Sequence, residues 1–176
     1  MPITRRTFIK AGAIGGGALL VAGAWGAWRL RSCKDGGNGL SPSGRALFAA
    51  VIPAFLDGVV PAGSWTTATM DTLLDDVNRT VSQLSPSARE ELQQFFCLLD
   101  RGAVRLLLAG TALPWRRIDA ARAARILARW RHGRTAMLVS AYQALHDITF
   151  AAWYATPAHW EATGYPGPPR LTPSAA

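Results

Sequence analysis

The chain is poor in the residues that build metal and redox centres. It holds two cysteines, three histidines and only two lysines in 176 residues. His132, His146 and His159 stand 14 and 13 positions apart, which is no ligand spacing. No C-x-x-C, H-E-x-x-H or C-x-x-C-H run occurs, so zinc and covalent c-type haem find no motif. Gly15-Gly16-Gly17 follows no strand and is not a dinucleotide loop. Serine and cysteine nucleophile motifs are absent as well. No segment after residue 40 alternates apolar with polar in the manner of a strand, and no internal repeat is visible. Acid is scarce: 11 Asp and Glu stand against 19 Lys and Arg, a formal net charge of +8. That excess is local. Arg5, Arg6, Lys10, Arg29, Arg31 and Lys34 supply six of those charges, and from Asp35 onward 13 basic and 11 acidic residues leave +2. The basic balance therefore carries no case for nucleic acid.

What the chain does have begins in its first ten residues. Thr4-Arg5-Arg6-Thr7-Phe8-Ile9-Lys10 leads into an uncharged, glycine- and alanine-rich run from Ala11 to Trp28. The pattern resembles a twin-arginine (Tat) export signal, with Arg5, Arg6, Phe8 and Lys10 as its signal residues. That route carries proteins already folded, so the resemblance implies a periplasmic protein and the Tat translocase as a partner. The apolar run is about one bilayer span long but only mildly hydrophobic. Two fates stay open. Ala22-Gly23-Ala24 offers small residues to a signal peptidase. Arg29, Arg31 and Lys34 directly after the run favour an uncleaved anchor in the inner membrane over residues 11–28. Leu30-Arg31-Ser32-Cys33 matches a lipoprotein box poorly, because an arginine precedes the small residue. Cys33 and Cys97 are free to pair in an oxidising compartment. Cys97 lies in an apolar helical run and reads instead as a buried thiol.

The organisation is a signal or anchor at 1–34, a linker at 35–42, a helical domain at 43–170 and a disordered tail at 171–176. The fold class is all-α: a small bundle of about five helices with an irregular C-terminal segment rich in aromatics, proline and glycine. About 140 residues suffice for one core. Ser41 or Ser43 caps the first helix, and Pro53 kinks or shortens it. The second runs from Thr67 to Leu84 on a stripe of Met70, Leu73, Leu74, Val77 and Val81. Ser85-Pro86 starts the third, which continues through Gly102 to about Leu108 and ends at Gly110. Its buried face is Leu92, Phe95, Phe96, Leu99, Val104, Leu107 and Leu108, and Gly102 marks a close approach of another backbone. Asp119 caps the fourth, whose arginines oppose Ala121, Ala124, Ile126, Leu127 and Trp130. The fifth, from about Thr135 to Ala155, is apolar nearly all round and should be central.

Two clusters in the body invite a chemical reading. His146-Asp147 is a polar pair inside an apolar helix, but adjacent helical residues point about 100° apart and do not face each other. Arg122, Arg125, Arg129 and Arg131 on the fourth helix, flanked by Arg116, Arg117 and Arg134, form either a solvated face or a surface for anionic lipid or an acidic partner. An enzyme in its own right would have only His146, Asp147 and His159 to work with. The residues support no catalytic, metal or cofactor site in this chain.

The C-terminal segment carries the distinctive residues. Trp153, Tyr154, Trp160, Gly164, Tyr165, Pro166, Gly167 and Pro168 place rigid aromatics in Pro/Gly backbone, which gives large contact area at low entropy cost. Either they fold back onto the bundle or they meet a partner. Ala-Arg-Trp-Arg (128–131), Ala-Tyr-Gln-Ala-Leu (141–145), Trp-Tyr-Ala-Thr-Pro-Ala-His-Trp (153–160) and Gly-Tyr-Pro-Gly-Pro-Pro (164–169), together with Ile52-Pro53 and Val60-Pro61, resemble the small Tat-signal subunits of flavin-dependent GMC-type dehydrogenases. The gluconate 2-dehydrogenase subunit 3 group is the best-known example. The chain is shorter and differs in its mid-region, so the resemblance does not extend to a sugar-acid substrate. It implies a non-catalytic accessory subunit of an oxidoreductase complex. Such a subunit carries the export signal for a large FAD-binding partner, with FAD held there and no cofactor here. A cytochrome c subunit is the further partner it allows. The alternative is a membrane-anchored helical binding protein with no oxidoreductase partner.

Overall fold

A computed structural model describes residues 37–61, 63–160 and 164–167 of the chain. Among the described residues the fold is all-α, with six helices, two short 3-10 turns and no strand. The helices are α1 (Pro42–Phe55), α2 (Thr67–Ser82), α3 (Pro86–Asp100), α4 (Gly102–Ala109), α5 (Ala120–Arg131) and α6 (Ala136–Tyr154). The 3-10 turns are Trp115–Arg117 and Pro157–His159.

The central helix is α1. Ser41 Oγ accepts from the Gly44 N–H at 3.2 Å, and Pro42 fits the first turn, where its missing N–H costs nothing. The helix stops at Phe55, two residues beyond Pro53, so the proline falls in the last turn. Leu47, Phe48, Val51 and Ile52 are buried almost completely. Gly44 faces α3, and a Cβ there would lie 2.6 Å from Phe96 Cδ2. The absence of a side chain lets the Phe96 ring close on Phe48 edge-to-face, centroids 5.8 Å apart. Around α1 pack α2, α3, α5, α6 and the first 3-10 turn. The expectation of a central last helix is thus corrected. The buried face of α6 is Ala141, Leu145, Ile148, Thr149 and Ala152, mostly small residues, while Met137 is 51% exposed. Its larger rings lie half-buried along the flank.

Helix α2 follows its sequence pattern. A Thr66–Thr69 capping box starts it, and Leu73, Leu74, Val77 and Val81 are buried. Arg45 of α1 reaches both Asp71 and Asp75, one turn apart, at 3.0 and 2.9 Å. The Asp75 hydrogen bond holds the Arg45 guanidinium above its ordinary pKa, burial opposes it, and Asp71 adds to it. The site is exposed enough for water to screen most of the gain.

The expected long third helix is two helices. Arg101 is extended (φ −78°, ψ 119°), and the chain turns there before Gly102 opens α4. The cause lies one turn further on. Arg105 is buried and donates to the Leu99 and Asp100 carbonyls at 2.9 Å and to Ala112 O at 3.0 Å. It thereby serves acceptors that the broken helix leaves open, and its positive charge sits at the negative end of α3. Trp115 Nε1 donates to the same Leu99 carbonyl at 3.3 Å. The break also rotates the following residues. Leu107, expected in the core, is 82% exposed, and Leu106 is 56% exposed. Gly110 ends α4 as expected, at φ +66°. Gly102 marks the start of a helix; the nearest foreign backbone atom, Ala112 O, would be 3.9 Å from a Cβ, an ordinary contact.

Helix α5 is capped by Asp119, whose Oδ1 accepts from Arg122 N at 2.7 Å. Its inward stripe is Ala123, Ile126, Leu127 and Trp130, so Ala121 and Ala124 are corrected to exposed positions. They fall off the 3-4 spacing that the buried four share. Trp130 is fully buried, packs on Phe95 at 6.0 Å and donates Nε1–H to Leu108 O at 2.9 Å. Cys97 is also corrected: it is half-buried and disulfide-bonded, not a buried thiol. Leu92, Phe96 and Leu99 take the core-facing positions of α3 and leave Cys97 on its flank. Cys33, the chain's other cysteine, lies outside the described residues.

Replacing Arg105 with leucine removes the donor from the Asp100 and Ala112 carbonyls and leaves Leu99 O with Trp115 alone. We expect a loss of about 3 kcal/mol or more and a melting temperature lower by roughly 10 °C. A calorimetric scan of Arg105→Leu that overlays the parent scan would refute this account of the α3–α4 break.

Candidate partner interface

The C-terminal aromatics fold back onto the end of α6. The His159 ring stacks flat on Trp153, centroids 3.6 Å apart and planes within 4°. Its Nδ1–H donates to the Trp153 carbonyl at 2.7 Å. Trp160 donates Nε1–H to the Tyr154 carbonyl at 2.7 Å. Both acceptors belong to the last turn of α6, where Trp153 O also takes the Thr156 N–H at a long 3.4 Å. Two aromatic side chains therefore do the work of a C-cap.

Beyond them Tyr165 N donates to Trp160 O at 3.3 Å, and the two rings meet edge-to-face at 5.4 Å. Gly164 (φ +69°) and Gly167 (φ +92°) take backbone conformations that other residues resist. A Cβ on Gly167 would stand 3.1 Å from the Trp160 ring. Tyr154, Tyr165 and Pro166 remain exposed, and Trp153 and Trp160 are half-buried. The structure thus gathers seven of the eight candidate interface residues into one cluster; Pro168 lies outside the described residues. So do Arg5, Arg6, Phe8 and Lys10. Among the described residues no helix is long and apolar enough to cross a membrane, and the candidate anchor at 11–28 is not among them.

A feature the sequence reading missed runs into this cluster. Tyr142, His146, Phe150 and Tyr154 form a column of rings at four-residue spacing along α6. Successive centroids are 5.9, 4.5 and 6.0 Å apart. Phe55 buttresses it at 5.6 Å from Tyr142 and 5.7 Å from His146, and the Arg131 guanidinium lies 5.9 Å from the Tyr142 centroid. The signal was present as an i, i+4 repeat of aromatics, hidden within a helix that reads as apolar on every side. His146 also corrects a geometric expectation. Its Nδ1–H reaches the adjacent Asp147 Oδ1 at 3.0 Å, with both side chains open to solvent. A surface pair of this kind contributes little to stability. His159 is held by Trp153 and His146 by Asp147, so the structure does not join the two histidines.

Two concavities adjoin α6. One, of about 360 Å³, is lined by Val60, Trp65, Leu73, Asp76, Trp153 and His159. The Trp153 indole N–H is buried and has no acceptor among the described residues. The other, of about 490 Å³, is an apolar trough between α3 and α6 that includes Leu92, Phe95, Met137 and Ile148. Among the described residues no group of three or more His, Cys, Asp or Glu side chains could hold a metal. No protein-family model, curated protein or solved structure matches the chain.

Trp160→Phe keeps the ring contact with Tyr165 and deletes the bond to Tyr154 O, a cost of about 1 kcal/mol. Hydrogen exchange should quicken at residues 158–160 and at Gly164, Tyr165 and Gly167, and stay unchanged in α1. Unaltered exchange at Tyr165 would show that this bond does not hold the segment.

Proposed function

We propose that this chain is a non-catalytic small subunit of a periplasmic, flavin-dependent GMC-type dehydrogenase complex. It supplies the Tat export signal and binds the large FAD-bearing subunit, which it stabilises or escorts. The observation that carries the reading is the aromatic surface of α6. Four rings in a column run into a C-terminal cluster that is pinned to the helix end and still exposes Tyr154 and Tyr165. Rigid aromatics fixed before binding lose little entropy on docking, and such residues dominate protein interfaces. The twin-arginine pattern at Arg5-Arg6 gives the address, and the disulfide at Cys97 suits an oxidising compartment.

Arg5→Lys with Arg6→Lys should hold both this chain and its flavoprotein partner in the cytoplasm. In that reducing compartment Cys97 becomes a free thiol, read by maleimide labelling of the denatured protein, while the exported parent stays unlabelled. Periplasmic partner at the parental level would end the escort reading. Tyr154→Ala combined with Tyr165→Ala should lower recovery of the partner in pull-down by roughly ten-fold, since interface tyrosines contribute on the order of 1 kcal/mol or more each. The melting temperature of the isolated chain should move little. Full recovery with the double variant would place docking elsewhere on the chain.

A further inference from the structure

The arginines of α5 line a pocket. Arg122, Arg125 and Arg129 form one wall at i, i+3 and i+7, and Ala109, Gly110 and Thr111 at the end of α4 form the other, around a volume of about 200 Å³. Two contacts fix this meeting of α4 and α5. Trp130 Nε1 donates to Leu108 O, and Gly110 has no side chain to collide with the Arg129 guanidinium. None of the three guanidiniums forms an ion pair among the described residues. Asp119, the acid at the start of α5, is engaged by the Arg122 backbone N–H. A solvated basic face would spread its charges over convex surface. Here three like charges share a concavity and no acid among the described residues pairs with them, an arrangement that favours a bound anion.

We propose that Arg122, Arg125 and Arg129, with the Ala109–Thr111 turn, form a binding site for a phosphate-class oxyanion. The volume is below that of pockets for drug-sized molecules, which suits a small ion or a headgroup. A carboxylate offers two oxygens. Three guanidinium forks offer more donors than two oxygens accept, whereas a phosphoryl group presents three or four oxygens in a tetrahedral array. The phosphate is either free in solution or the headgroup of an anionic lipid. In the second case Leu106 and Leu107, exposed on α4, would meet the acyl region.

The test uses the full chain and an Arg122→Gln/Arg125→Gln/Arg129→Gln variant. At fixed ionic strength, inorganic phosphate at about 10 mM should raise the parent melting temperature by about 3 °C and leave the variant unmoved. Flotation with phosphatidylglycerol vesicles, against phosphatidylcholine controls, reads the lipid source. Basic residues near the N-terminus are common to both proteins, so only the difference between them counts. A phosphate-dependent rise lost in the variant assigns the free ion. Vesicle recovery roughly ten-fold lower in the variant, without a phosphate response in the parent, assigns the headgroup. Parent and variant alike in both assays overturns the site. Should the triple variant fail to fold, Arg125→Gln alone is scored by the same criteria.

Discussion

A buried arginine decides how the middle of this chain runs. Among the described residues Arg105 has no carboxylate partner; both terminal nitrogens donate to backbone carbonyls, while its buried Nε–H meets no acceptor. An isolated charge in such a place is costly unless its donors are met. The three acceptors come from the end of α3 and from the loop after α4, so the arginine and the break need each other. Without the break there are no free carbonyls at Leu99 and Asp100. Without the arginine Asp100 O loses its donor and Leu99 O keeps only Trp115. From this one arrangement follow the short α4, the delivery of Trp115 to Leu99 O and the approach of α4 to α5 at Trp130. The arginine-lined pocket exists because that approach brings Gly110 against Arg129.

The other end of the molecule relies on the same device in neutral form. The last carbonyls of α6 accept from a histidine and a tryptophan that lie beyond the helix in sequence. The Ala155 and Thr156 N–H groups reach only Ala151 O and, at 3.4 Å, Trp153 O, and the two side chains add to them. The consequence for function is order. Aromatics that would sample many poses in a free tail are held in one, and their exposed edges form a surface with defined shape. The column from Tyr142 to Tyr154 extends it along the helix, with Phe55 and Arg131 fixing its far end.

Much of the bundle was legible because apolar spacing and end signals are local. Ser41, Thr67, Ser85-Pro86, Asp119 and Gly110 delimit helices within a residue or two of where the pattern puts them. What failed depended on distant partners. Nothing in the local pattern singles out Arg105, whose role depends on Ala112 O seven residues on. Leu107 reads as core until the turn at Arg101 swings it outward. The centre of the bundle was misassigned because apolar content was taken for burial, although α6 keeps its rings at the flank and buries alanines. Of the candidate interface, the composition announced that the tail was unusual, but only the fold reveals that it lies against α6.

Charge separates two roles that the total of +8 merges. The six basic residues before Asp35 flank the apolar run, as the proposed export or anchoring signal requires. In the remaining body the balance is only +2, yet it is unevenly laid out. Residues 116–134 hold seven arginines and one acid, Asp119, whereas Asp71, Asp75, Asp76, Glu90 and Glu91 fall on α2 and α3. A body so nearly neutral gains no solubility from crowding its arginines onto one helix, and like charges at i, i+3 and i+7 weaken that helix modestly. The arrangement makes sense if the charge is used where it is concentrated. The aromatic face of α6 and the basic face of α5 then address different chemistries, and a partner docked on the first leaves the pocket beside Gly110 to its own ligand.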